Sequence, residues 1–486
     1  MREFMGSEVN RQSSDRILSA SALLISSRLV VQVVSAASTA VVARSISVED
    51  FGNLNAGLAV FYLATALCDW GFGLSLARRL GRSNSRDGSV VRSAVRLQAS
   101  WSGFVTILVI AYAVVSGLEK PRIYILMLLT PAIVSTGVSV YRQVLIANEE
   151  TQWIVFPGIL INITSAVIAA GLAIWGFGIS ALAIVVSVAS VLNSLVLYFV
   201  GRKLISATRG TARLRRSMRR EVVLVGLQSF LSSAYFGIDV VILSYLVSSS
   251  ELGHYTAALK VLTFIILIPG ILAQVSVVEF SRIHQDRMST SDLQTRSWKW
   301  LSFGFLPVVA LLGLYAPIFV NVYFGAKFDS IIPIVRILMI AGVLAAVSNT
   351  IFGAMIASSR QRWLVWQGLF CLIFNVSANL LFVPLFGITA SAWLTVITEL
   401  FVVLGSTIAL ARIEVFSHYM LRAWKYYVAI PLTSIPPWLL WGSRSLVGLI
   451  VSATAIAVGF LVLGLVPQEI VDVLRRRSSR HMTRSK

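Results

Sequence analysis

The sequence predicts an all-α polytopic membrane protein of about fourteen transmembrane helices: two six-helix repeats (helices 1–6 and 7–12) plus two extra C-terminal helices. Three observations carry this. The 486-residue chain is 57% hydrophobic and only 13% charged, too little charge to solvate a globular surface. Fourteen apolar runs come close to or exceed about 20 residues, the length that crosses a bilayer core. Short motifs also recur at an offset of roughly 200–210 residues, as a tandem duplication leaves them.

The runs fall near 17–43, 53–77, 98–117, 123–147, 153–175, 178–200, 222–247, 254–280, 300–323, 331–357, 363–384, 386–411, 425–441 and 445–467. The first is too long, and wrongly flanked, for a cleaved signal peptide, so it is expected to remain as the first spanning helix. The joints at 176–177 and 385 are tight, and the thirteenth run is short. The resulting organisation is an N-terminal lobe at 1–200, a basic interlobe loop at 201–221 and a second lobe at 222–411. Helices 13 and 14 follow at 412–467, then a basic tail at 468–486. No gap between runs holds a soluble domain.

The repeat is read from loops. Ser47-Val48-Glu49-Asp50-Phe51-Gly52 is echoed by Ser248-Ser249-Ser250-Glu251-Leu252-Gly253, with Ala56 answered by Ala257. Phe177-Gly178-Ile179-Ser180-Ala181 returns as Phe386-Gly387-Ile388-Thr389-Ala390, and Ala147 to Trp153 as Ala357 to Trp363. A duplicated helix bundle is a recurrent plan of secondary transporters, with the substrate site where the halves meet.

A net charge of +20 invites a nucleic-acid partner, but the placement of the charge argues against one. With residue 1 in the cytoplasm and sides alternating, 33 of the 41 Lys and Arg residues fall on the cytoplasmic side. The outer side receives Arg44, Lys120, Arg122, Lys327, Arg336 and Arg444, while Arg28 and Lys260 lie inside spans. This asymmetry predicts a multi-pass protein of the cytoplasmic membrane with both termini inside. The block from Arg202 to Arg220 and the run Arg475-Arg476-Arg477 read as contacts to anionic membrane lipids. Cys68 and Cys371 lie in spans without CxxC spacing, and His254, His284, His418 and His481 are scattered, so no disulfide framework, metal site or other cofactor is expected.

Polar residues inside the bilayer are costly and so carry the functional reading. In the first run Ser21, Arg28, Gln32, Ser35 and Thr39 recur at helical spacing, with Arg28 about 16 Å up a helix starting at residue 17, too deep to snorkel easily. In the seventh, Gln228, Ser232, Tyr235 and Asp239 form the same kind of stripe. Equivalent polar faces on the first helix of each repeat are expected to line one aqueous cavity, making Arg28, Gln32, Ser35, Gln228 and Tyr235 substrate-binding candidates. Asp69, within Asp-Trp-Gly-Phe-Gly, and Asp239 are ion-coupling candidates; the simpler alternative is that Asp69 neutralises Arg28 or caps backbone beside Gly71 and Gly73.

Arg44, Asp50-Phe51-Gly52 and Asp69-Trp70-Gly71, with the returns at 248–255 and 386–390, resemble the polysaccharide-export flippases. These are the O-antigen and exopolysaccharide members of the multidrug/oligosaccharidyl-lipid/polysaccharide (MOP) superfamily. The resemblance spans helices 1–12 and is diffuse. It implies a V-shaped transporter of two lobes that moves a polyprenyl-pyrophosphate-linked oligosaccharide across the cytoplasmic membrane by alternating access. Its implied partners are that anionic lipid-linked glycan and the polymerase and glycosyltransferases of the same pathway. A pyrophosphate headgroup needs cations such as Arg28.

Three rivals stay open. A multidrug exporter of the superfamily favours an acidic cavity, which the deep Arg28 opposes. The lipid II flippase branch carries several cavity arginines, against one deep arginine here. A membrane glycosyltransferase or polymerase needs a large outer loop with catalytic carboxylates, and no Asp-x-Asp pair occurs in the chain. The chain is therefore read as a non-enzyme.

The charge asymmetry yields a direct test. Fusions at residue 210 and at the C-terminus are expected to fluoresce with a cytoplasmic reporter and to give inactive alkaline phosphatase. An active phosphatase at 210 removes the fourteen-helix topology.

Overall fold

The computed structural model describes residues 29–73, 88–205, 237–283, 298–357, 361–411 and 424–467, with isolated positions at 27, 76 and between 223 and 235. Each of the fourteen apolar runs contains helix, and among the described residues there is no strand. In chain order these are α1 (Leu29–Ser45), α2 (Val48–Asp69), α3 (Gly88–Val115), α4 (Lys120–Ala147), α5 (Gln152–Ile174), α6 (Ile179–Lys203) and α7 (Ile238–Leu246). Then come α8 (Ser249–Ile283), α9 (Trp298–Leu314 bending into Ala316–Phe324), α10 (Ile332–Ala357), α11 (Gln361–Phe386), α12 (Ile388–Ala411), α13 (Trp424–Trp441) and α14 (Leu446–Val462). Nine helices among the described residues are long and apolar enough to cross a bilayer, ten if the bent α9 pair is one span. The protein is an all-α multi-pass membrane protein, the form lipid imposes because a helix satisfies its own backbone hydrogen bonds.

The repeated loop motifs are helix starts. Ser47 caps α2 by accepting from Asp50 N at 3.0 Å. Ser248 opens α8 with a full capping box: its hydroxyl accepts from Glu251 N at 3.3 Å, and its own N–H donates to Glu251 Oε2 at 3.1 Å. The glycine that follows each cap serves packing. A Cβ on Gly52 would lie 2.1 Å from the carbonyl oxygen of Ser249, and one on Gly253 would lie 2.1 Å from that of Val48. Val48 and Ser249 are equivalent positions of the repeat, so the contact is reciprocal. The duplicated motif packs against its own copy, backbone on backbone.

Breaks fall where the ladder is interrupted. α4 holds Pro131 and passes through a 3₁₀ turn at Thr136–Val138 before resuming at Tyr141. The run expected as one helix at 300–323 is instead bent by 84° at Tyr315, with Pro317 opening the second piece. The tight joints turn on left-handed backbone at Gly176 (φ 77°) and Gly387 (φ 63°), where a side chain would be strained.

The chain divides into two compact units, Met1–Gly253 and His254–Lys486. The interlobe loop and the C-terminal tail expected from sequence lie almost wholly outside the described residues. In the first unit α6 packs on α4 and α5, and α3 and α2 pack on α4. In the second, α12 packs on α10 and α11, the same pairs displaced by six helices. α13 and α14 pack on each other and on α9. There Tyr315, fully buried at the bend, shares a 2.8 Å hydrogen bond with Ser452 of α14, whose hydroxyl donates to Ser434 O of α13 at 3.1 Å.

Gly52→Ala is expected to lower the unfolding temperature of the purified protein, at a cost of about 1–3 kcal/mol, because the helix starts must move apart. Gly103→Ala, within α3 where no atom lies within 4 Å of an added Cβ, is expected to be neutral or to stabilise by up to about 1 kcal/mol. Equal effects of the two substitutions would refute the close-approach argument.

Candidate functional site

Two polar clusters stand in the first unit, one at each end of α2. At the Val48 end the organising group is Arg122, in the first turn of α4 and only 3% exposed. Its Nε donates to Asn53 Oδ1 of α2 at 2.8 Å, and Nη2 donates to Ser249 Oγ at 2.6 Å. Nη1 donates to the carbonyl of Ser244, in the last turn of α7. The Ser249 hydroxyl in turn donates to Glu119 Oε2 at 2.8 Å, and Glu119 lies 3.6 Å from the guanidinium. One fork of donors thus joins α2, α4 and the α7–α8 corner. Sequence counted Arg122 as an outer-loop charge; the structure makes it a buried clamp. The Glu119-x-x-Arg122 spacing is a visible signal for the ion pair, but Asn53, Ser244 and Ser249 are 69, 122 and 127 residues away in the chain.

The other cluster forms where α2 ends and α4 breaks. Asp69 is the last residue of α2, followed by left-handed Trp70 (φ 28°) and Gly71 (φ 70°), so the helix unwinds locally there. Asp69, expected from sequence within a span, is the last residue of the apolar helix Val48–Asp69, and its side chain is not covered by the protein. Its Oδ1 accepts from Ser139 Oγ at 3.4 Å. Behind it Gln98, fully buried on α3, donates to Ser139 Oγ at 2.7 Å and accepts from Val140 N at 3.1 Å. Gln98 supplies a partner to backbone freed by the 3₁₀ turn. Trp101 secures the same corner by donating to Leu67 O at 2.7 Å.

The seventh run lies antiparallel along α2. The Trp70 ring meets Gly226 and Phe230, Gly237 faces Leu63, and Ser244 is bound through Arg122 to Asn53. Asp239 is buried in the first turn of α7, and its Oδ1 accepts from Val240 N at 2.8 Å, as suits an acid at a helix start. Gly237 is level with Leu63, and Asp69 lies six residues further along α2, about 9 Å at 1.5 Å per residue. The two acids therefore belong to different levels and do not form one carboxylate pair. Gln32 and Ser35 are half-buried on α1, which Ser38 ties to α5 by donating to Ala166 O at 2.7 Å. Tyr235 is half-buried just before α7. Arg28 and Gln228 lie outside the described residues. Among the described residues no group of three or more His, Cys, Asp or Glu side chains comes together as a metal site.

A bundle of this helix order, with the helix pairings of the first six repeated in the next six and two more helices following, is the fold found in structures of the MOP superfamily. It shares that fold with the inward closed conformation of the lipid II flippase MurJ, at a TM-score of 0.72 and 12% identity over 90% of this chain and 98% of that one. An outward-facing multidrug resistance MATE family transporter matches at a TM-score of 0.59 and 18% identity, over 82% of this chain and 95% of that one. The chain belongs to the polysaccharide biosynthesis protein family, whose model matches residues 41–333. It is also 33% identical over 117 residues to the lipopolysaccharide biosynthesis protein WzxC of Escherichia coli (strain K12), a match covering 24% of this chain and 22% of that protein. The chain therefore spans about a fifth of the curated relative that it matches.

Arg122→Ala is expected to lower the unfolding temperature of the purified protein, at roughly 1–3 kcal/mol for each buried partner left without a bond. Arg122→Lys should fall between, because a point charge cannot serve three diverging acceptors. Lys120→Ala, exposed two residues earlier, is expected to stay within about 0.5 kcal/mol of the parent. An Arg122→Ala protein as stable as the Lys120→Ala control would remove the clamp.

Proposed function

We propose that the protein flips a polyprenyl-pyrophosphate-linked oligosaccharide across the cytoplasmic membrane by alternating access, as a non-enzymatic step of cell-surface polysaccharide biosynthesis. The observation that carries this reading is the family match over residues 41–333, which runs from the end of α1 to the first residues of α10. The likeness to a lipid II flippase and to a lipopolysaccharide biosynthesis protein supports a cargo that is an anionic glycan on a lipid.

The proposed topology has both termini and the 201–221 loop in the cytoplasm, and the proposed lobes are the two repeats. Arg122 has its donors engaged inside the protein, which leaves the phosphate-binding role with Arg28, supported by Gln32, Ser35, Gln228 and Tyr235. A guanidinium suits a pyrophosphate because it offers paired donors and holds its charge in a low-dielectric cavity. The prenyl chain can remain in lipid throughout. For coupling, Asp69 is the stronger candidate of the two acids: it is exposed, whereas Asp239 is engaged by the start of α7. The proposed partners are the lipid-linked glycan, membrane lipids and the polymerase and glycosyltransferases of the pathway.

Arg28→Ala is expected to abolish flipping of a labelled polyprenyl-pyrophosphate oligosaccharide in reconstituted vesicles, with unchanged protein level, and Arg28→Lys to retain part of it. Under an imposed proton or sodium gradient, Asp69→Asn should lose any gradient response. Full flipping by Arg28→Ala would assign Arg28 to structure. Gradient-driven efflux of cationic drugs in place of glycan flipping would establish the multidrug alternative.

A further inference from the structure

The second unit contains a groove of about 580 Å³ between α9, α10 and α13. Its walls are apolar, with Val309, Met339, Val343 and Ile435 among them, and Pro431 of α13 faces into it. Two groups at one end break the pattern. Arg336, in the second turn of α10, is exposed; its Nε donates to Gly313 O at 3.3 Å, and no carboxylate among the described residues pairs with it. The nearby acid Asp329 is taken by Arg444 at 3.1 Å. Trp438 lines the same groove, and its buried Nε1–H meets no acceptor among the described residues. Leu314 and Trp438 both stand near the helix ends that the charge asymmetry assigns to the outer side, about 16 Å along α13 from Tyr427 at the groove's far end.

We propose that this groove binds one anionic glycerophospholipid of the outer leaflet, with its phosphate on Arg336, an ester or phosphate oxygen on the Trp438 indole N–H, and an acyl chain along the groove. Charge decides the headgroup. Arg336 offers its terminal N–H groups to an oxyanion, and with Lys327 it leaves this end of the unit basic once Arg444 is set against Asp329. The indole is the side chain that sits at the membrane interface with its apolar body in lipid and its N–H toward polar atoms. Size decides the tail. The volume is that of a pocket for a single small ligand, suited to one acyl chain and short for a polyprenyl chain. The site lies wholly in the second unit and uses none of the residues assigned to cargo or coupling. It supplies a lipid cofactor at α13, one of the two helices that stand outside the duplicated core.

The full-length protein, purified in detergent and stripped of lipid, would be titrated with phosphatidylglycerol and phosphatidylcholine of the same acyl chains, and bound lipid counted by native mass spectrometry. The expected result is a preference of about fivefold for phosphatidylglycerol, the ratio one cation supports beside an anionic headgroup. Arg336→Gln should abolish the preference, Arg336→Lys should keep most of it, and Gly313→Leu, which fills the groove, should weaken both lipids. Equal binding of the two lipids by the parent protein, or an undiminished preference in Arg336→Gln, overturns the proposal. Displacement of phosphatidylglycerol by undecaprenyl phosphate in an Arg336-dependent manner also overturns it, by assigning the groove to the cargo's chain.

Discussion

An arginine cannot shed its charge, so burying Arg122 obliges its surroundings to provide acceptors for every direction of the guanidinium. Asn53, the Ser244 carbonyl and Ser249 meet that demand from three separate segments, and Glu119 balances the charge. The consequence is geometric. The α7–α8 corner cannot leave α2 without exposing an unpaired cation in a low-dielectric setting, and so the reciprocal contact of Gly52 and Gly253 is held closed. Glycine permits the approach and arginine enforces it.

This arrangement gives the duplicated motif a physical meaning. Ser-x-x-acid starts a helix by capping its first N–H groups, and the glycine two residues later removes the side chain that would block the facing copy. A sequence that begins helices α2 and α8 in the same way makes two like surfaces able to pack about a local two-fold relation. The seventh run then follows α2 antiparallel to the Trp70 end, where Gln98 and Ser139 meet the backbone left by the 3₁₀ break in α4. Rigid at one end through charge and at the other through amide bonds, α2 is the post of the first unit.

The two acids illustrate how placement alters chemistry. Asp69 ends α2 and accepts from Ser139, whereas Asp239, in a helix's first turn, is placed to stabilise the N-terminal dipole. In the second unit the bend at Tyr315 serves a different purpose. It opens α9 to receive α14 through the Tyr315–Ser452–Ser434 chain, which docks the helices added after the repeat and forms one wall of the groove beside Arg336.

Hydropathy, a local property, determined by itself that the chain spans the membrane and where its helices fall, because each helix satisfies its backbone alone, and the loop motifs showed the duplication. The repeated motifs at 47–52 and 248–253 and the tight joint at 385 were likewise readable in place. The family resemblance rested on those same loop motifs, and the family match supports it. What only the tertiary structure decided are properties of pairs distant in sequence. Arg122 reads as a surface charge until residues more than a hundred positions away surround it. Sequence does not show that α2 ends at Asp69, or that the run at 300–323 bends where Tyr315 meets its partner on α14. A charge count gives the sign and side of a residue, but its burial is set by what the fold brings to it.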